Sequence, residues 1–281
     1  MITSLEEDIL AKAYVPEHVV GLMSLISRGE PGLVEDFLYF AKDNWLIFVG
    51  YRLGSDSSPS HTENVLSQLL AAHKPEYLWF VGPEIPPSLS ASSGEEQKDQ
   101  YYVLDLEKKI KPSLERAAEK ASKELTVERA RSFSKKHEAL VREFLKREKL
   151  PPRLRELYLA MPHYVHHSKS SLVLSAWDKK GKLSAFNVVD LSAREFTTYL
   201  LGCHSKKHYV PHASDLLFHE MIRLSRESGK RTLHLGIGVN EGIRRFKEKW
   251  GGTPCLDYHF CECRYERPRS VSLIRALEGK L

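Results

Sequence analysis

One lysine, three spaced histidines and a group of late thiols are the residues of this chain whose types and spacing allow chemistry. Lys247 lies in the run Asn240-Glu241-Gly242-Ile243-Arg244-Arg245-Phe246-Lys247-Glu248-Lys249-Trp250-Gly251-Gly252. An ammonium there could stabilise developing negative charge on a carbonyl oxygen or trade a proton. By spacing alone, among Glu241, Arg244, Arg245, Glu248 and Lys249, it belongs to the solvated face of an amphipathic helix. His204, His208 and His212 recur every four residues in a polar loop that also holds Lys206 and Lys207. Imidazole suits a proton acceptor near neutral pH, and the neighbouring ammonium groups suit a phosphate. His259, Cys261 and Cys263 alternate along one strand face with Cys255 close by. Those are zinc-binding types, yet one strand cannot wrap a tetrahedral ion, Cys-x-x-Cys knuckles are missing, and cysteine serves well as a small buried hydrophobe, so no metal is expected.

The elements that must position these residues follow from periodicity. Residues 172–178 and 183–191 are arms of a hairpin joined at Lys179-Lys180-Gly181-Lys182, and a strand follows from Phe196 to about Cys203. A polar loop leads to a helix over 214–227, stopped at Ser228-Gly229-Lys230, and Thr232-Leu233-His234-Leu235-Gly236-Ile237-Gly238 reads as the next strand. Asn240 caps a helix over 241–250, the glycine pair Gly251-Gly252 ends it, and residues 256–264 alternate as a last strand. The order is β, β, β, α, β, α, β. Upstream, 101–106 is a short strand, 107–123 a charged helix, 125–128 an extended piece, and 133–160 two helices meeting at Pro151-Pro152.

The first hundred residues form a smaller mixed unit. Amphipathic spacing predicts helices over 4–13, 16–27 and 33–41, then a strand over 44–51, a loop over 55–61, a helix capped by Thr62 and a strand over 77–82. Residues 83–100, rich in Pro, Ser, Gly and Glu, read as a linker, which puts a domain boundary near Gln100. A length of 281 residues suits two units, 1–100 and 101–281, and 42% apolar with 28% charged residues is the composition of a globular chain. No run approaches the apolar length of a membrane span, and the acidic N-terminus is unlike a signal peptide, so a cytoplasmic protein with no membrane partner is expected, its thiols reduced. Residues 101–150 carry fourteen Lys or Arg against nine Asp or Glu, an excess equal to the net +5 of the whole chain. A basic segment of this kind is either a solvated face or an attraction for nucleic acid or a phosphorylated cofactor.

The element order, the Phe246-Lys247 pair and the Gly251-Gly252 pair resemble the GNAT superfamily, and within it the Fem-like peptidyltransferases, over about residues 100–267. The resemblance implies an α/β (α+β) fold, a mixed sheet flanked by helices built from two GNAT-type units, the N-terminal one reduced. It also implies transfer of an acyl or aminoacyl group from acyl-CoA or aminoacyl-tRNA to an amine acceptor, with tRNA as a partner in the second case. In such a fold the strands holding Thr197 to Cys203 and Thr232 to Gly238 splay apart and hold the donor through backbone groups. Lys247 then stands where ordinary acetyltransferases place a tyrosine acid, and His204 and His208 join it as catalytic candidates. Tyr199, Leu201, Cys203, Lys206, Lys207, His212, Asn240 and Phe246 are the residues expected to line the donor. One departure is plain: Ser205-Lys206-Lys207-His208-Tyr209-Val210-Pro211-His212 lacks the spaced glycines that cradle a pyrophosphate, and Pro211 removes a donor. That leaves standard acetyl-CoA binding in question, an aminoacyl donor open, and as an alternative function a GNAT-fold binding module for RNA or a protein partner.

Overall fold

In a computed structural model the protein is described over residues 4–54, 57–90 and 93–265. The far end of the expected second unit, 266–281, and part of the expected 55–61 loop lie outside the described residues. Helix α1 (Ser4–Lys12), a 3-10 turn (Pro16–His18) and α2 (Val20–Ser27) precede three antiparallel strands, β1 (Glu30–Val34), β2 (Phe37–Lys42) and β3 (Trp45–Arg52). The helix expected over 33–41 is therefore a hairpin. Glu35 and Asp36 both take left-handed φ, the turn geometry that reverses two strands, and Phe37 enters one core cluster while Leu38 and Phe40 enter another. Burial on both faces mimics helical spacing.

Helix α3 (Pro59–His73) then crosses to β4 (Tyr77–Gly82), which runs parallel to β3. Its cap is Ser58 rather than Thr62: the Ser58 hydroxyl accepts from the His61 N–H, and Pro59 takes the first helical position. The expected linker over 83–100 is a short helix α4 (Pro87–Ser90) and the start of a long strand β5 (Ser93–Asp105). Residues 94–96, 98 and 100 are exposed, so this half of the strand has no core to fill and reads as loop from its polar composition.

The charged helix expected from residue 107 begins at Pro112, where the ring fixes the first turn (α5, Pro112–Ser122). Strand β6 (Leu125–Ala130) leads to α6 (Lys135–Arg147) and α7 (Pro152–His167), parted at the proline pair as spacing predicts. The hairpin β7 (Ser171–Asp178) and β8 (Leu183–Asp190), then β9 (Phe196–His204), α8 (Ala213–Glu227), β10 (Thr232–Ile237), α9 (Glu241–Lys249) and β11 (Thr253–Arg264), complete the order read from the sequence.

All strands join one sheet in the order β1-β2-β3-β4-β11-β5-β10-β9-β8-β7-β6. The same topology occurs twice, an antiparallel meander followed by a helix and a parallel strand, giving the parallel pairs β3/β4 and β9/β10. Strand β11 returns to lie between β4 and β5, and β5 lies between β11 and β10, so main-chain hydrogen bonds run unbroken from the first meander to the second. Around the second meander, α5, α8 and Trp250 cover one face with Leu114, Leu217, Phe218 and Met221, while α2, α6 and α7 cover the other with Leu22, Val141, Met161 and Val165. Removing that apolar surface from water, at roughly 25 cal/mol per Å², is what holds the helices down.

Candidate functional site

Between β9 and β10 only three residue pairs stand in register, Phe196 with Thr232, Thr197 with Leu233 and Thr198 with His234. Strand β9 continues to His204 and β10 to Ile237, and over that length the pair is open. Irregularities on both sides produce the divergence. The ladder of β9 with β8 slips between the pairs Val188–Leu201 and Val189–Tyr199, leaving Leu200 as the extra residue, and the ladder of β10 with β5 breaks between His234 and Ile237, where Gly236 takes a φ of 70°. The other parallel pair stays closed. Strands β3 and β4 match over five rungs to Val49 and Val81, and a Cβ on Gly50 would sit 3.4 Å from the Gly82 Cα.

At the free end of β10, α9 delivers Lys247. Contrary to the solvated face expected from spacing, Lys247 is buried, 3% exposed, and its Nζ donates to the Ile237 carbonyl at 2.5 Å over the Tyr102 ring, 5.7 Å from the centroid. Burial pushes the amine from its ordinary 10.5 down to about 7, against the opposing pull of Asp99. Asp99 in turn accepts from the Val239 N–H at 2.7 Å, holding that β-branched residue at a φ of 62°, a strained conformation set between the strand and the helix.

The glycine pair has a structural duty at this site. Gly251 ends α9 with a φ of 93°, and a Cβ on Gly252 would lie 2.7 Å from Leu235 Cδ1 and 3.0 Å from the Lys247 carbonyl oxygen. The backbone that carries Lys247 thus packs directly on β10. A Gly252→Ala variant should lose about 1–3 kcal/mol in chemical denaturation, because the neighbour in the way includes main chain. It should also lose any activity that depends on Lys247 beyond that stability effect.

His234, which its sequence context marks only as a strand residue, stands one residue from the open section of β10. The Gly236 N–H donates to its Nδ1 at 3.2 Å, so the neutral ring carries its proton on Nε2. Burial, helped by the charge of Lys247, lowers the imidazole to about 3, and the ring is neutral under ordinary conditions. Its Nε2–H is buried with no acceptor among the described residues, and the hydroxyl of Thr198, its register partner, is likewise unpartnered. Two polar groups thus stand unused on the last rung before the strands part.

The expected catalytic histidines are held by partners other than Lys247. Among the described residues no hydrogen bond or ion pair joins Lys247 to His204 or His208. His204 is half-buried against Arg147, whose guanidinium reaches its Nε2 at 3.3 Å, and burial together with that charge lowers its pKa. His208 donates its backbone N–H to the Ser205 hydroxyl at 3.0 Å, and the Glu143 carboxylate holds the start of this loop through Ser205 and the Lys206 N–H. The side chains of Lys206 and Lys207 are exposed. His204 and His212 flank a recess of about 260 Å³ with Ser184, Val210 and Asp215, at the start of α8. There Asp215 accepts from His212 Nδ1 (3.0 Å), Lys249 Nζ (2.6 Å) and the Trp250 indole (3.1 Å). This buried carboxylate puts negative charge in the first turn of α8, where an anion would otherwise be favoured.

The expected donor-lining residues do not share one face. Tyr199 packs toward Phe218 on the α8 side, whereas Leu201 and Cys203 are core residues on the α6 and α7 side, because the irregularity in β9 reverses the alternation. Asn240 is spent as the α9 cap, its Oδ1 accepting from the Ile243 N–H at 2.9 Å, and Phe246 packs edge-on against Phe218. Cys261 and Cys263 are buried with Phe80 and Leu78. Among the described residues no group of His, Cys, Asp and Glu could hold a metal ion, and no helix is long and apolar enough to cross a membrane.

A meander, a crossing helix and a parallel pair make up the GNAT fold; the arrangement is present twice in one sheet, and the pair is opened by a slipped strand in the second of the two. No protein-family model and no curated protein matches the chain. Solved structures do. The C-terminal domain of a putative lysylphosphatidylglycerol synthetase from Agrobacterium fabrum aligns with a TM-score of 0.57 at 16% identity, covering 98% of this chain and 97% of that one. FemX aligns at 0.61 and 13%, covering 92% and 96%, and a tandem GNAT protein from the clavulanic acid biosynthesis pathway at 0.54 and 11%, covering 93% and 94%. At these identities the likeness is one of fold, and the Fem-like GNAT fold read from the sequence is the fold observed.

Proposed function

We propose that the opening between β9 and β10 is the transfer site of an acyltransferase, which moves an acyl or aminoacyl group from an activated ester or thioester to an amine. The observation that carries this reading is the buried Lys247 ammonium held at the end of β10 where the parallel pair has parted. A donor laid in the opening finds unpaired backbone groups along both strands, and its carbonyl oxygen, on becoming an oxyanion, is stabilised by a cation in a site shielded from water. Attack by the amine forms the C–N bond, the C–O or C–S bond breaks, and the leaving oxygen or sulfur takes a proton.

Aminoacyl-tRNA is the donor favoured over acyl-CoA. The loop over 205–212 lacks glycine, and the Asp215 carboxylate adds negative charge to the first turn of α8, which disfavours a pyrophosphate there. FemX and the lysylphosphatidylglycerol synthetase domain, both close in fold, support the same class. Helix α6, with five Lys or Arg against two Glu, then faces a polyanion, and the unit over residues 1–100, whose parallel pair is closed, frames the acceptor side rather than holding a second donor.

The test is incubation with labelled aminoacyl-tRNA and acyl-CoA panels plus amine acceptors, with product read by mass spectrometry, alongside calorimetric titration with CoA. Aminoacyl transfer to an amine and no heat with CoA are expected. Acyl-CoA turnover would move the donor assignment, and no transfer from either panel would end the enzymatic reading.

A further inference from the structure

On the face of β5 and β10 opposite Tyr102 and α9, the 3-10 turn before α2 places a carboxylate that the reaction described above does not use. Glu17 Oε2 accepts from the Tyr101 hydroxyl at 2.7 Å. Tyr101 stands in register with Ile237, the residue whose carbonyl holds Lys247, so two hydrogen bonds and one strand pairing lead from the ammonium to the carboxylate. The Tyr101 ring meets those of Tyr51 (5.8 Å), Tyr258 (5.2 Å) and His234 (5.0 Å). Arg153, at the start of α7, lies 3.7 Å over the Phe260 ring, donates to Gln97 at 2.6 Å and faces Glu17 at longer range. Glu17 is half-buried, and its carboxyl is closely surrounded.

We infer that Glu17 is the acceptor-side residue of the transfer site: its carboxylate binds the incoming ammonium of the acceptor among the tyrosine rings and takes its proton. The inference rests on the transferase reading. An amine reaches an enzyme at neutral pH as an ammonium ion, and it cannot attack a carbonyl until it loses a proton. Aromatic faces and a carboxylate are the surroundings that attract such a cation, and a carboxyl kept from water accepts a proton more readily than an exposed one. Burial raises Glu17 above the ordinary carboxylate range, while the Tyr101 hydroxyl and Arg153 restrain the rise. The step balances. The ammonium gives one proton to Glu17, the freed lone pair forms the C–N bond, the ester C–O or thioester C–S bond breaks, the leaving group takes the second nitrogen proton, and Glu17 returns its own to solvent. Ester and ammonium become amide, alcohol and one proton.

Two measurements decide the matter. In the first, kcat/KM for the acceptor is followed against pH for the wild type, Glu17→Gln, Glu17→Asp and Tyr101→Phe, with hydrolysis of the donor in the absence of acceptor as a separate readout. Glu17→Gln should lower acceptor kcat/KM by about 10²–10⁴-fold and erase the ascending limb, a larger loss than that of donor hydrolysis. Glu17→Asp should recover part of the rate, and Tyr101→Phe should move the ascending limb to higher pH, since the hydroxyl favours the ionised carboxylate. An unchanged limb and acceptor KM in Glu17→Gln overturns the role of Glu17 while the transferase reading stands. The second measurement needs no turnover: the full chain, labelled with ¹³C at glutamate carboxyls, is titrated with n-butylamine near neutral pH. A saturable shift of one carboxyl resonance that disappears in a folded Glu17→Gln variant is expected, and its absence from the wild type overturns the inference even if no donor is ever turned over.

Discussion

Replacing Lys247 by methionine should lower transfer by about 10²–10³-fold, the usual loss when one oxyanion donor is removed, while making the fold more resistant to heat below neutral pH. The two effects have one cause. A lysine whose folded pKa is about 7 against an ordinary 10.5 holds its proton less readily in the folded protein than in the unfolded chain. The unfolded chain therefore binds more protons between these values, and stability rises with pH across that interval. Below about 7 both states carry the ammonium and the full penalty is present, at most about 5 kcal/mol. Methionine fills similar volume without charge, so Lys247→Met should flatten the rise in stability between pH 7 and 10 seen by denaturant titration. The ammonium is the active form in the proposed mechanism, and wild-type kcat/KM should fall as pH rises past about 7. A wild-type profile with no descending limb, or a Lys247→Met enzyme of normal rate, would remove the lysine from the chemistry.

Asp215→Ala should be the most destabilising single change near the site, at about 3 kcal/mol, because it strands the Trp250 indole N–H and the Lys249 ammonium that it now satisfies. Calorimetry should show the melting temperature lowered by several degrees. Burial alone pushes this carboxyl up, but Lys249, His212 and Trp250 outweigh it and hold it below its ordinary 3.8. A depressed carboxyl stabilises the folded state at pH values above the unfolded pKa, and that contribution is lost as pH falls through the folded value. The stability difference between wild type and variant should therefore be constant near neutrality and shrink below about pH 4. Asp215 ties the first turn of α8 to the last turn of α9, so the variant should also slacken the helix that carries Lys247. A variant as stable as the wild type would show that the ties across α8 and α9 contribute nothing.

Much of the second half of this molecule was legible from residue types. β-Formers at period two, Gly181, the Ser228-Gly229 stop, the Asn240 cap and the proline pair at 151–152 each act within a few residues of themselves, and the elements they bound are the elements observed. Reading failed where burial was set by partners distant in sequence. The strand Phe37–Lys42 buries both faces and imitates a helix, and the polar strand Ser93–Asp105 is a strand only because β11, more than 150 residues later, pairs with it. The site divided along the same line. Local sequence singled out Lys247 and the glycine pair, since a helix with that ending is visible in thirteen residues. Whether Lys247 faced water or the interior, whether Tyr199 and Leu201 shared a face, and which histidine stood beside the open strands depended on register, and one slipped rung in β9 reverses the alternation beyond it. Glu17 carried no signal at all in the sequence, because a carboxylate gains its character from surroundings, and here Tyr101, Tyr51, Tyr258 and Arg153 come from four separate elements that only the folded chain brings together.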